Sequence, residues 1–175
     1  GETPTAGASA GGNGDVRFEG TTLSFGAGNI VLGKAGTGSL SVNTGAGLDA
    51  SDLDIGQALT GNGTVVFSGA GGNFNNVDVG TAGAGSLQVS GKGTLAATNV
   101  LIGIDAVPVP ASVVIDSSST MQVASLLAVG EQGDGALDVE NGGTALAGSM
   151  LVAAGAGVTA AVTLNASTTK KVALT

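Results

Sequence analysis

A four-residue pattern, apolar-x-apolar-Gly, recurs along the chain and constrains its fold more than any other feature. It stands as Ile30-Val31-Leu32-Gly33, Leu53-Asp54-Ile55-Gly56, Val77-Asp78-Val79-Gly80, Val100-Leu101-Ile102-Gly103 and Leu127-Ala128-Val129-Gly130. A sixth copy, Met150-Leu151-Val152-Ala153, puts Ala where the glycine belongs. The anchor positions 33, 56, 80, 103, 130 and 153 are separated by 23, 24, 23, 27 and 23 residues. A fixed period of this size is the signature of a repeat architecture.

The agreement extends beyond the anchor. Nine residues after it stand Val42, Val65, Val89, Val139 and Val162. Two residues before those come Leu40, Leu87 and Leu137, with Gly63 and Ala160 as weaker members, and Val113 and Ile115 take both places in the longer copy. A third apolar group follows at Leu48, Leu95, Met121 and Leu146, with Phe74 assigned to it in the second repeat. Each unit therefore reads as three short alternating strands separated by Gly, Ser, Thr and Asn turns.

One position that is apolar in every unit implies that the strands coil into stacked rungs. The expected fold is all-β: a right-handed parallel β-helix (β-solenoid) of about six to seven rungs, each of roughly 23 residues with three short strands. Six rungs at the inter-strand spacing of about 4.8 Å span roughly 30 Å. A leucine-rich repeat needs an L-x-x-L-x-L-x-x-N signature that is absent here, and its return segments are often helical, which glycine disfavours. A β-sandwich does not demand the same residue type at fixed spacing.

Composition suits a thin core. Aromatic residues are limited to Phe18, Phe25, Phe67 and Phe74, whereas Gly occurs 33 times and hydrophobic residues make up 42% of the chain. The formal charge is −8, with 13 acidic residues, 5 basic residues and no His or Cys. So few cations argue against nucleic acid and against anionic membrane surfaces as partners. Disulfides and thiolate metal sites are excluded. The sequence has neither a stretch of about 18 apolar residues nor a signal-peptide pattern, so the expectation is that any export signal or anchor lies outside it or has been removed.

The segment from Val77 to Thr98, VDVGTAGAGSLQVSGKGTLAAT, resembles the β-strand repeats of bacterial autotransporter passenger domains and related large adhesins. Ile30 to Ser51 and Leu127 to Gly148 match the same wording, and the resemblance covers about residues 29 to 165. It implies a secreted or cell-surface location, a right-handed helix, and a role as stalk, spacer or adhesive surface. The family's membrane-inserted C-terminal barrel is absent from this sequence, which leaves the export route open.

Residues 1–14 show no strand pattern and read as a flexible lead-in, with residues 15–175 as one β-helix domain. Phe18 and Phe25 are placed to plug the first rung. No clear cap is legible from Val162 onward, so the expectation is either a solenoid that continues or a next rung supplied by another chain. Asn29, Asp52, Asn76 and Asn99 each lie four residues before an anchor. They form either a ladder of stacked amides or a column of residues that suit a turn; both readings are structural.

The remaining candidates face outward. Asp105, Val107, Pro108 and Pro110, within the segment Asp105 to Ala111, account for the longest interval; two prolines suit a stiff projecting loop, a possible binding insertion or a neutral one. Asp54 and Asp78, with Asp52 and Asp49 nearby, stack carboxylates that repel unless solvated or bridged by a cation such as Ca²⁺. Gly11-Gly12-Asn13-Gly14-Asp15 is an isolated, wrongly spaced match to a calcium-binding β-roll repeat. Leu101, Ala128 and Leu151, with Ile104 and Ala154 nearby, form either an apolar strip awaiting a partner or an inward column shifted by one residue.

Catalysis has little support. No His or Cys is available as base or nucleophile, and no aromatic platform accompanies the carboxylates, as sugar cleavage usually requires. The sequence points to a non-catalytic extracellular structural or adhesive segment of a bacterial surface protein, with no cofactor. Its rivals are a self-assembling subunit that stacks end to end or laterally into a filament or layer, and an adhesin binding a cell-surface ligand through the Asp105 loop.

Overall fold

The computed structural model describes residues 4–106 and 111–165, and the backbone of 173–174. All regular structure among them is β. The chain begins with β1 (Thr5–Ala6), then winds through β2 (Asn13–Phe18), β3 (Thr22–Ser24) and β4 (Asn29–Leu32). The next turn comprises β5 (Thr37–Asn43), β6 (Gly47–Asp49) and β7 (Asp52–Ile55). Later turns are β8 (Asn62–Ser68) with β9 (Gly71–Val79), β10 (Ala84–Ser90) with β11 (Thr94–Ile102), and β12 (Ala111–Ile115) with β13 (Thr120–Val129). The last are β14 (Gly135–Glu140) with β15 (Thr144–Val152), and β16 (Ala160–Asn165) with β17 (Ala173–Leu174).

Every strand pairs in parallel with its counterpart one turn away, giving a 7-stranded sheet from β2 to β16 and a 10-stranded sheet from β1 to β17. This is a parallel β-solenoid. The three short strands expected per turn are separate in the first two full turns. From β9 onward the second and third run together as one long strand, and at the corner of β9 the Asn75 and Asn76 N–H groups both donate to the Ser51 carbonyl.

Alternation sets which side chains enter the core. Along β10 every second residue is buried, and Leu87 and Val89 are fully enclosed. One inward column runs Leu32, Ile55, Val79, Ile102 and Val129, all at 2% exposure or less. Aliphatic side chains of similar shape stack at each level, so a narrow core closes without large rings.

The anchor glycines have a backbone reason. Gly33, Gly56, Gly80, Gly103 and Gly130 all have φ between +66° and +75°. At Gly56 a Cβ would also lie 2.1 Å from the Ala84 carbonyl oxygen one turn on. Ala153 adopts the same conformation, with φ +54°, in an exposed position at the last such turn. Sterics make that conformation unfavourable for any residue with a Cβ.

Several assignments made from spacing are corrected by the register. Val65 pairs with Leu40, and it is Phe67 that stands beside Val42. The turn from Gly56 to Gly63 is two residues longer than that from Gly33 to Gly38, while the corner before Gly71 is one shorter, so the anchor interval conceals the shift. Gly72, not Phe74, takes the place between Leu48 and Leu95. Leu146 faces outward beside Gln122, and Ala145 follows Met121 inward.

The interval of 27 residues also has two origins. Gly85 pairs with Ala111, so the segment after Gly103 supplies three of the four extra residues. The fourth is a bulge in β13, where Ala97 pairs with Val123 but Asn99 pairs with Leu126. Residues 4–14, read as part of a lead-in without strands, carry β1, which pairs with Val31 and Leu32, and the start of β2. Ala6 is buried and joins the core, so the solenoid begins before Asp15.

Candidate functional site

The face formed by β6, β7 and β9 collects most of the polar residues singled out from the sequence. Three outward positions on one turn are aspartates: Asp49, Asp52 and Asp54. Their register partners on β9 are Asn73, Asn76 and Asp78. Asn73 Nδ2 donates to Asp49 Oδ1 at 2.7 Å, and Asn76 Nδ2 donates to Asp52 Oδ1 at the same distance. The third pair places acid over acid.

The asparagine column is a hydrogen-bonded ladder over part of its length. Asn99 Nδ2 donates to Asn76 Oδ1 at 2.9 Å, and the Leu126 backbone N–H donates to Asn99 Oδ1 at 3.4 Å. Asn29 stands in register below Asp52. The ladder ends at Leu126 because the β13 bulge places a leucine in the column and offers only a backbone donor.

Asp54 and Asp78 lie in a different environment. Gln57 Nε2 donates to Asp54 Oδ2 at 3.4 Å, and burial, followed by the Asp52 charge, raises the Asp54 pKa. Burial raises that of Asp78 to about 6, with Asp54, Asp52 and then Glu131 adding repulsion. Asp78 Oδ1 is buried without a hydrogen-bond partner, as is Thr81 Oγ1 in the following turn. Gln57 and Thr81 were not singled out from the sequence; turn residues whose role depends on the neighbouring rung carry no local signal. Asp52 is committed to Asn76, and among the described residues no group of three or more acidic side chains is arranged to hold a metal ion.

The other candidates are more dispersed. Leu101, Ala128 and Leu151 do occupy one outward column, continuous with Val31, Asp54 and Asp78. It is not a continuous exposed strip: Leu101 is half-buried, Ala128 is 1% exposed and Leu151 is 45% exposed. Asp105 is exposed, and its N–H donates to the Thr81 carbonyl at 2.9 Å. Val107, Pro108 and Pro110 lie outside the described residues. At the N-terminal end, Phe18 and Phe25 pack against the core and border an apolar cleft of about 90 Å³ with Val16, Ile30 and Leu40. At the other end, Val152 and Leu164 continue inward columns yet are 44% and 50% exposed.

These features define the chain as a parallel β-solenoid with polar ladders on one face. Among the described residues, no helix is long and apolar enough to cross a membrane. Compared with known proteins, the chain matches no family model, no curated protein and no solved structure.

Proposed function

We propose that this chain is a non-catalytic structural or adhesive segment of a bacterial surface protein, serving as a rigid stalk or presenting surface outside the cell. The observation that carries this reading is the continuous parallel pairing from β1 to β17 in one sheet and from β2 to β16 in the other, which bonds each described turn to the next. Turns joined this way are held to their neighbours by main-chain bonds along the axis. The surface location rests on the resemblance of the Val77 to Thr98 repeat to autotransporter passenger domains.

Rigidity has a direct test. Arg17, Ser41, Val66, Gln88, Val114, Asp138 and Thr163 form one outward column. Spin labels at Arg17 and Thr163 are therefore six rungs apart, about 29 Å at the usual spacing. A single narrow distance distribution near that value supports a rigid spacer, and a broad one overturns it.

Self-assembly is the second reading, favoured by a specific observation. Val16, Val152 and Leu164 point along inward columns but are 37%, 44% and 50% exposed on the terminal turns. A second solenoid stacked on either end would cover them and pair the edge strands β2 and β16. Light scattering with electron microscopy decides between the two. Long particles with an axial repeat near one solenoid length support assembly; a clean 16.3 kDa monomer overturns it.

A further inference from the structure

We propose that the Asp54–Asp78 stack is a proton-binding site that makes the solenoid more stable in mild acid than at neutral pH. Asp49 and Asp52 each lie beneath an asparagine whose amide donates to them at 2.7 Å. Asp54 lies beneath Asp78 in the same register, and an ionised carboxylate has no proton to donate. A protonated Asp78 has the shape of the neighbouring asparagines and supplies the missing donor. Its Oδ1 is already buried and unpartnered, a state that costs least for a neutral carboxyl.

Among the described residues, no cation pairs with the ionised form. Asp49, Asp52 and Asp54 on β6 and β7 are all acidic, and β10, β11 and β12 contain no ionisable residue. Glu131, in the turn after β13, adds further negative charge. Gln57 is neutral and donates to Asp54. Lys34, at the turn position one rung below Gln57, is exposed. Burial and these charges raise the Asp78 pKa from 3.8 to about 6. The folded chain therefore holds a proton that the unfolded chain has released between these values. Stability from this group is fully present below the unfolded value and is lost as pH rises through about 6.

The test is thermal unfolding of the whole chain between pH 7.5 and 5, together with carboxyl carbon NMR of Asp78. The expected wild-type result is a midpoint that rises by about 2–4 °C on acidification, with the Asp78 signal titrating near pH 6. Asp78→Asn mimics the protonated state, so it should melt higher than wild type at pH 7.5 and show a smaller acid-induced rise, the remainder belonging to Asp54, whose pKa burial also raises. Asp54→Asn should move the Asp78 titration to lower pH. An Asp78 carboxyl that stays ionised down to its ordinary range overturns the proposal, as does an Asp78→Asn chain with the wild-type pH dependence.

Discussion

The rings of Phe67 and Phe74 meet edge to face, with centroids 6.2 Å apart, beside Gly72. A Cβ at Gly72 would lie 2.9 Å from both rings. The two phenylalanines therefore occupy the space that Leu48 and Leu95 fill on adjacent turns, and the three residues form one packing unit.

That unit makes a prediction about coupled substitutions. Phe67→Ala should cost about 3–5 kcal/mol by opening a cavity, and Gly72→Leu alone should destabilise through overpacking. The triple variant Phe67→Val, Gly72→Leu, Phe74→Ala reproduces the pattern of the adjoining turns. It should lie within about 1.5 kcal/mol of wild type, far from the sum of the single changes. Denaturant unfolding of the single and triple variants measures the coupling.

The anchor column predicts opposite signs at its two kinds of member. Gly56→Ala meets both the positive φ and the Ala84 carbonyl 2.1 Å away, so it should cost about 3 kcal/mol or more. Ala153→Gly relieves an unfavourable φ of +54° and should stabilise by about 0.5 kcal/mol. Melting curves of the two variants check both signs.

In the polar ladder, Asn76 is the central member, bonded to Asp52 below and Asn99 above. Asn76→Ala should cost about 1–3 kcal/mol, since it strands an acceptor on one side and a donor on the other. A double-mutant cycle with Asp52→Ala should give a coupling above about 0.5 kcal/mol. Additive effects would show that the bond at 2.7 Å contributes nothing to stability.

The terminal turn gives a prediction specific to assembly. Leu164 is half exposed, so Leu164→Asp should leave the melting temperature nearly unchanged. If chains associate through that end, the same variant should shift the light-scattering mass toward the monomer. Association that persists unchanged would assign it to another surface.

How much of this was legible in the sequence depended on whether a residue's role is local. The anchor glycines were visible because a positive φ recurs at every anchor and disfavours a side chain at all of them but the exposed Ala153. The stacking of Asp54 and Asp78 followed from their equal distances to their anchors. The Val65 and Phe74 assignments fail for a definite reason: one turn gains two residues while a nearby corner loses one. An anchor interval reports only the net change. The burial of Ala128 was hidden because it depends on neighbouring turns rather than on its own alternation. The unpartnered Asp78 oxygen depends on three-dimensional packing that no spacing reports.

The bulge at Ala124–Ser125 and the longer turns after Gly56 and Gly103 have a shared consequence. All lie where the chain changes direction, and the paired registers resume in phase beyond each of them. Such corners act as expansion joints: a length change is absorbed sideways and never travels along the axis. One extra residue in the middle of β10 would instead exchange inside for outside over the rest of that strand. One extra residue in the corner between Gly56 and Gly63 should therefore be taken up there and leave the turns on either side in register.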